Sequence, residues 1–209
     1  MDKAISLVIS ELERQSNLQR GGKVEFPPDG EMLAITYDTG MFFSILVQAI
    51  KATRILEIGT SSGFSTLWLA DAVLSVMKRR PQRPAIFTIE ENPSKARWAA
   101  ANFRKAGVDK MIRIIPGQAL DALRGLCRSK AVFDFAFIDA DKENMIEYFD
   151  LALPMIRVGG VIAADNILYP EHFRRHTAKY VHHARRTRNV QSVTVPIGMG
   201  DEISIKLSR

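Results

Sequence analysis

Cysteine is almost absent from this 209-residue chain, where Cys127 stands alone. A single thiol closes no internal disulfide and builds no thiolate zinc cluster, so any metal has to be held by oxygen or nitrogen. Long apolar runs are missing as well. The longest clean one, Val158-Gly159-Gly160-Val161-Ile162-Ala163-Ala164, falls far short of the roughly 18 consecutive apolar residues of a membrane-spanning helix. The start of the chain lacks the unbroken apolar stretch and small-residue cleavage site of a signal peptide. Ile5, Val8, Ile9 and Leu12 instead recur at helical spacing. The expectation is a cytoplasmic protein without a membrane partner. Internal repeats and low-complexity tracts are also lacking. Charge of neither sign dominates: 29 Lys plus Arg against 23 Asp plus Glu leave a net +6, which favours acidic partners such as phosphate esters, coenzyme thioesters or RNA without naming one.

What is present is an alternation of two periodicities. Arg54 to Ile58, Ala85 to Glu90, Met111 to Ile115, Val132 to Ile138 and Val158 to Ala164 read as short buried strands. Between them, Leu67, Ala70, Leu74 and Met77, then Ala96, Ala99, Ala100 and Phe103, then Met145, Phe149 and Leu153 repeat as helices do, until Pro154 stops the last run. This order predicts an α/β fold, a Rossmann-like doubly wound sheet with helices on both faces. The runs Val190 to Pro196 and Glu202 to Leu207 have no helix between them, so they should pair as a hairpin and give the mostly parallel sheet a C-terminal antiparallel strand. A content of 46% hydrophobic and 25% charged residues suits one domain over residues 1–209, with 1–36 as an N-terminal helical extension. Lys78-Arg79-Arg80-Pro81-Gln82-Arg83-Pro84 reads as a solvated connector rather than a proline-rich ligand.

Open parallel sheets bind ligands beyond the carboxyl ends of their strands, and those positions are polar here. Glu57-Ile58-Gly59-Thr60-Ser61-Ser62-Gly63-Phe64-Ser65 lets the backbone turn tightly before a helix opens, which suits a nucleotide or an anion. Ser61 and the lack of a following Gly-Lys-Ser/Thr exclude the dinucleotide and phosphate-loop patterns. An ordinary strand-to-helix turn has the same appearance. Glu90 ends the second strand, where a carboxylate can accept both hydroxyls of an adenosine ribose, or serve as an acid at the helix start before Asn92-Pro93. Pro116-Gly117-Gln118-Ala119 leaves room for a flat adenine ring. Phe137-Ile138-Asp139-Ala140-Asp141-Lys142 and Ala163-Ala164-Asp165-Asn166 bring acids to two adjacent strand ends. Oxygens from Asp139, Asp165 and Asn166 suit a hard cation such as Mg²⁺, with Ca²⁺ or Mn²⁺ as alternatives, although strand-end caps and turns also recruit such residues.

Taken together, Ile55-Leu56-Glu57-Ile58-Gly59 with Gly63-Phe64-Ser65, Thr88-Ile89-Glu90, Phe135 to Lys142, Gly159-Gly160-Val161-Ile162 with Asp165-Asn166, and Gly200-Asp201-Glu202-Ile203 resemble the cation-dependent O-methyltransferases, the family of catechol and caffeoyl-CoA O-methyltransferases. The resemblance implies S-adenosylmethionine as cofactor, lined by Gly59 and Thr60, with Glu57 and Ser65 at its amino-acid end, Glu90 at its ribose, and Gly117 with Ala119 at its adenine. It implies a metal on Asp139, Asp165 and Asn166, and Lys142 as base, a role that requires a neutral amine. Because a phenol ionises near pH 10, a cation that stabilises the oxyanion and selects vicinal oxygens makes methylation feasible at neutral pH.

The expected acceptor is accordingly a catechol-like or hydroxycinnamoyl-type phenol, methylated on the hydroxyl that the cation holds. Some relatives act on 5-hydroxyuridine in tRNA, and the segment Glu171 to Arg188 keeps that alternative open. It carries His172, His176, His182 and His183 with six Lys and Arg side chains, and should bury Phe173, Thr177, Val181 and Ala184. His172 and His176 at i, i+4 are a further metal-pair candidate. A catalytically silent cofactor-binding subunit is the non-enzymatic alternative. The first forty residues, including Gly21-Gly22-Lys23 and Phe26-Pro27-Pro28, should contribute to the acceptor pocket, and relatives of this type suggest a homodimer.

Overall fold

The computed structural model describes residues 1–22, 31–32, 34–78, 81 and 83–208. Lys23 and Phe26-Pro27-Pro28, expected near the acceptor, lie outside the described residues, as do Arg79, Arg80 and Gln82 of the basic connector. The five apolar runs form β1 (Ile55–Ile58), β2 (Ile86–Glu90), β3 (Ile112–Pro116), β4 (Phe133–Ile138) and β5 (Ile156–Ala164), all parallel. β6 (Val190–Val195) and β7 (Asp201–Lys206) make the expected hairpin. The sheet order is β3-β2-β1-β4-β5-β7-β6, so β7 is inserted antiparallel between β5 and β6. Strand order reverses between β1 and β4, and this is the position where a crevice opens at the carboxyl edge of a doubly wound sheet.

The helices are α1 (Lys3–Arg20), α2 (Tyr37–Ala49), α3 (Phe64–Met77), α4 (Pro93–Lys105), α5 (Ala119–Arg128), α6 (Met145–Ala152) and α7 (Arg174–Arg186). Side-chain caps explain several of their starts. Asp2 accepts from the N–H groups of Ala4 and Ile5, Thr36 from Thr39, and Asn92 from Ser94 and Lys95 just ahead of Pro93. No helix among the described residues is long and apolar enough to cross a membrane.

Successive side chains of a strand point to opposite faces, and β4 shows the result. Phe135 and Phe137 enter the layer that holds α1, α2 and α3, whereas Ala136 and Ile138 enter the layer of α5, α6 and α7, and Phe133 joins the latter because the β4–β5 register shifts between Phe133 and Phe135. Phe43 of α2 meets the rings of Phe135 and Phe137 edge-on at 5.8 and 4.7 Å between centroids. The spacing Leu67, Ala70, Leu74 suggests one buried stripe on α3, yet every residue from Phe64 to Val73 is buried, because α1 and α2 cover its outer side. The buried stripe of α7 also differs from expectation: it is Thr177, Tyr180 and Ala184, with Phe173 and Val181 only half-buried. Tyr180 fills that place because its ring packs edge-on against Phe149 of α6, 5.8 Å away.

Candidate active site

Parallel strands deliver Gly59, Glu90, Gly117, Asp139 and Asp165 to one edge of the sheet, each just past or at the end of its strand. Because β7 runs the other way, its first residue, Asp201, arrives at that same edge. Gly59 is required there by space as well as by conformation. Its φ is +98°, and a Cβ would stand 2.0 Å from the backbone oxygen of Asp139. The ends of β1 and β4 are thus in backbone contact, and the Asp139 N–H donates to the Ile58 carbonyl at 2.9 Å.

On the β1–β2 side, Glu57 is fully buried and accepts hydrogen bonds from the hydroxyls of Ser65, at 2.7 Å, and Thr66. Burial nonetheless pushes its carboxyl up to about 7, with the hydroxyl donors opposing the shift and Asp139 adding to it. The hydroxyls of Thr60 and Thr88 pair at 2.6 Å. Glu90 accepts from the backbone N–H groups of Ser61 and Asn92, at 2.8 and 2.9 Å, and so fixes the turn after β1 against the start of α4. Among the described residues, the buried hydroxyl oxygens of Ser61 and Ser62 have no hydrogen-bond partner. Gly117, at φ +116°, has nothing within 4 Å of the position a Cβ would take, and its N–H donates to the Glu90 carbonyl. Ala119 opens α5 beside it.

On the β4–β5 side, the Nζ of Lys142 donates to Asp139 Oδ1 at 3.2 Å, with 5% of the lysine side chain exposed. Long cations are almost never buried unless paired, so this lysine is held rather than solvated. The loop carrying it is fixed by Asp141, which accepts from the Asn144 backbone and side chain and from the Tyr148 hydroxyl. Asp165 is buried, and its carboxyl is raised first by burial and then by the charge of Asp139, while Lys142 and Arg20 act in the opposite sense. The Asn166 N–H donates to Asp165 Oδ1 at 2.5 Å from a left-handed backbone, φ +63°, and Asn166 itself is half-buried. Asp201 is completely buried, and its carboxyl is also raised, by burial and by the charges of Asp165 and Asp139.

The structure therefore gathers the residues expected from sequence into two adjoining groups: Glu57, Gly59, Thr60, Ser65, Glu90, Gly117 and Ala119 on one side, and Asp139, Lys142, Asp165 and Asn166 on the other. The second group offers only oxygen donors and one amine, a set suited to a hard cation. Among the described residues no three His, Cys, Asp or Glu side chains close a metal-binding group, so a cation here would rest on two carboxylates, an amide and water. The first group has orphaned hydroxyls and an open glycine face, which fit a polar ligand with a flat ring. Sequence reasoning passed over Thr66, Thr88 and Asp201 as members of the site. For Asp201 the signal was available, since an acid that opens an antiparallel strand lands where parallel strands end.

A sequence model of the O-methyltransferase family matches residues 13–199. The chain is 40% identical over 136 residues to a catechol O-methyltransferase of Mycobacterium tuberculosis, a match covering 65% of this chain and 58% of that relative. It thus spans less than two thirds of that relative's length. Among solved structures, it resembles an O-methyltransferase from Bacillus cereus in complex with SAH, at 26% identity and TM-score 0.77 over 95% of this chain and 90% of the other. It resembles equally the O-methyltransferase TomG from Streptomyces achromogenes, involved in tomaymycin synthesis and solved with SAM, at 28% identity and TM-score 0.77 over 100% and 91% of the two chains. The strand-order reversal between β1 and β4, the glycine turn beside it and the match over most of the chain lead to one conclusion: this protein belongs to the O-methyltransferase family.

Proposed function

We propose that the protein transfers a methyl group from S-adenosylmethionine to a hydroxyl of a catechol-like or hydroxycinnamoyl-type small molecule, with a divalent cation, Mg²⁺ or in its place Mn²⁺ or Ca²⁺, at the site. The observation that carries this reading is the pair of buried Lys142 with half-buried Asp139, beside Asp165 and in backbone contact with the glycine turn after β1. In it, Gly59, Thr60, Glu90, Gly117 and Ala119 line the cofactor, and Glu57 with Ser65 orients its amino-acid end. Asp139, Asp165 and Asn166 would hold the cation, which would supply Lewis-acid stabilisation of a phenolate.

The chain's own residues supply the remainder. Lys142, held by Asp139, takes the proton that the acceptor hydroxyl loses, a step open to it only as the neutral amine. The acceptor oxygen then forms its bond to the methyl carbon as the carbon–sulfur bond breaks, and the sulfonium leaves as a neutral thioether. Charge is neutralised in this step, so the protein's main contribution is orientation of the two reactants. A homodimer accompanies this reading, and light scattering at assay concentration checks it.

One observation favours a second acceptor class. A cavity of about 360 Å³ lies between α7 and the stretch after Asn166, lined by Ile167, Leu168, Arg174, Arg185, Arg186 and Thr194. Arg174, Arg175, Lys179 and Arg186 are exposed along that helix, a cationic face that suits the phosphates of tRNA. The test is methyl transfer from labelled S-adenosylmethionine to vicinal diphenols, a hydroxycinnamoyl-CoA and bulk tRNA, each with Mg²⁺ and with EDTA. Metal-dependent labelling of a phenol is the expected result. Labelling of tRNA alone, weakening steeply with salt, moves the acceptor to the basic face. Labelling insensitive to EDTA removes the metal site, and cofactor binding without labelling of any acceptor leaves a silent binding subunit.

A further inference from the structure

Asp201 and Glu202 are neighbours at the start of β7, and both are completely buried. Glu202 is well supplied with donors: Arg185 Nε at 2.8 Å, the Ser192 hydroxyl at 2.7 Å and the Thr194 hydroxyl. Among the described residues neither carboxylate oxygen of Asp201 has a hydrogen-bond partner. A buried carboxylate without donors is among the costliest groups a fold can retain. The pairing of β5 with β7 shows which way it faces. Ala164 is in register with Glu202, so the next step along both strands sets Asp165 opposite Asp201. The two loops that follow are joined as well, since the Ile167 N–H donates to the Gly200 carbonyl at 2.9 Å and the Leu168 N–H to the Met199 carbonyl.

We infer that Asp201 is a positioning residue for the divalent cation, a third carboxylate set behind Asp165 that raises cation affinity through its charge without ligating the ion. The inference rests on the metal reading given above. The site then contains three carboxylates against Lys142 and the more distant Arg20, a balance that a divalent ion relieves. The alternative is that Asp201 stays a protonated packing residue with no bearing on the ion.

Isothermal titration of Mn²⁺ into the full chain, wild type and Asp201→Asn, separates these, with thermal melts in EDTA and S-adenosylhomocysteine titrations on the same samples. The expected result is that Asp201→Asn weakens Mn²⁺ binding about tenfold or more, equivalent to about 1.4 kcal/mol. Its melt in EDTA should lie at or above that of wild type, because a buried carboxyl group without hydrogen-bond partners has been removed. Unchanged Mn²⁺ affinity in a variant that still binds S-adenosylhomocysteine would overturn the inference. So would weaker Mn²⁺ binding accompanied by a lower melt in EDTA, the mark of a merely structural role. Asp201→Ser repeats the comparison with a smaller group, should the asparagine fit poorly. If wild type itself takes up no Mn²⁺, it is the metal reading that fails, and this inference with it.

Discussion

Gly59 and Lys142 show how single residues set the chemistry of this edge. An alanine at position 59 would place its Cβ 2.0 Å from the Asp139 carbonyl oxygen, at a φ of +98° that L-residues avoid. Nothing there is the flexible end of a side chain, so the strand ends themselves must part. Gly59→Ala is expected to cost about 2 kcal/mol or more in urea denaturation and to abolish S-adenosylhomocysteine binding; a variant as stable as wild type would mean that the strand ends yield easily. Lys142→Met removes the amine and with it the hydrogen bond that Asp139 Oδ1 accepts. Turnover on the best phenolic acceptor should fall about 100-fold or more while S-adenosylhomocysteine affinity holds, the pattern of a lost proton acceptor. Full turnover in that variant would remove Lys142 from the proton-transfer role.

Among the elements, β4 is fixed at both ends, by chemistry at one and by a structural clamp at the other. Asp134, near its start, accepts from the Thr53 and Arg54 N–H groups at 2.7 and 2.9 Å and from Arg157 Nε at 2.7 Å. Burial alone would raise this carboxyl, but the donors hold it below the usual carboxylate range. Asp134→Asn should destabilise by about 2 kcal/mol, since it leaves donors just ahead of β1 and on β5 unmatched. In wild type this clamp holds above the ordinary aspartate range and fails as pH falls through the depressed value; acid melts of the two proteins should therefore converge, and a constant gap down to low pH would count against the clamp.

The elements also show what could be read beforehand and what could not. All five parallel strands lie within two residues of their predicted limits, because runs such as Phe133 to Ile138, buried on both faces, have few other uses. α2 and α5 went unpredicted for separate reasons: α2 carries Gly40, which lets Trp68 approach closely, while α5 is only ten residues long and buries little beyond Leu123. The edge residues of the candidate site were legible because a strand end is a local feature. The place of Asp201 at that edge could also be read from the hairpin, but its position opposite Asp165 could not, since that depends on which strands β7 separates, a property of the whole sheet.

For the whole molecule, the concentration of buried acids makes stability depend on pH. Glu57 has a folded value of about 7 against an ordinary 4.5. The folded chain therefore keeps a proton that the unfolded chain releases, and this contribution is complete below the ordinary value and lost as pH rises through 7. The cation-free protein should melt higher near about pH 5 than near about pH 8, and Glu57→Gln should flatten part of that slope. A slope unchanged by the substitution would show that Glu57 is charged throughout. Saturating S-adenosylmethionine, a ligand of the folded chain only, should raise the melt in proportion to the logarithm of its concentration.

The place of β7 also bears on the order of assembly. β6 stands at the margin of the sheet with β7 as its strand neighbour, and β7 is the later of the two along the chain. A chain emerging from its N-terminus can join its five parallel strands first and add the last two as a finished ribbon. In that order Asp201 would reach the carboxyl edge only with the ribbon. The crowding of like charge there would then be deferred to the final step of folding, when the rest of the sheet is already in place to bear it.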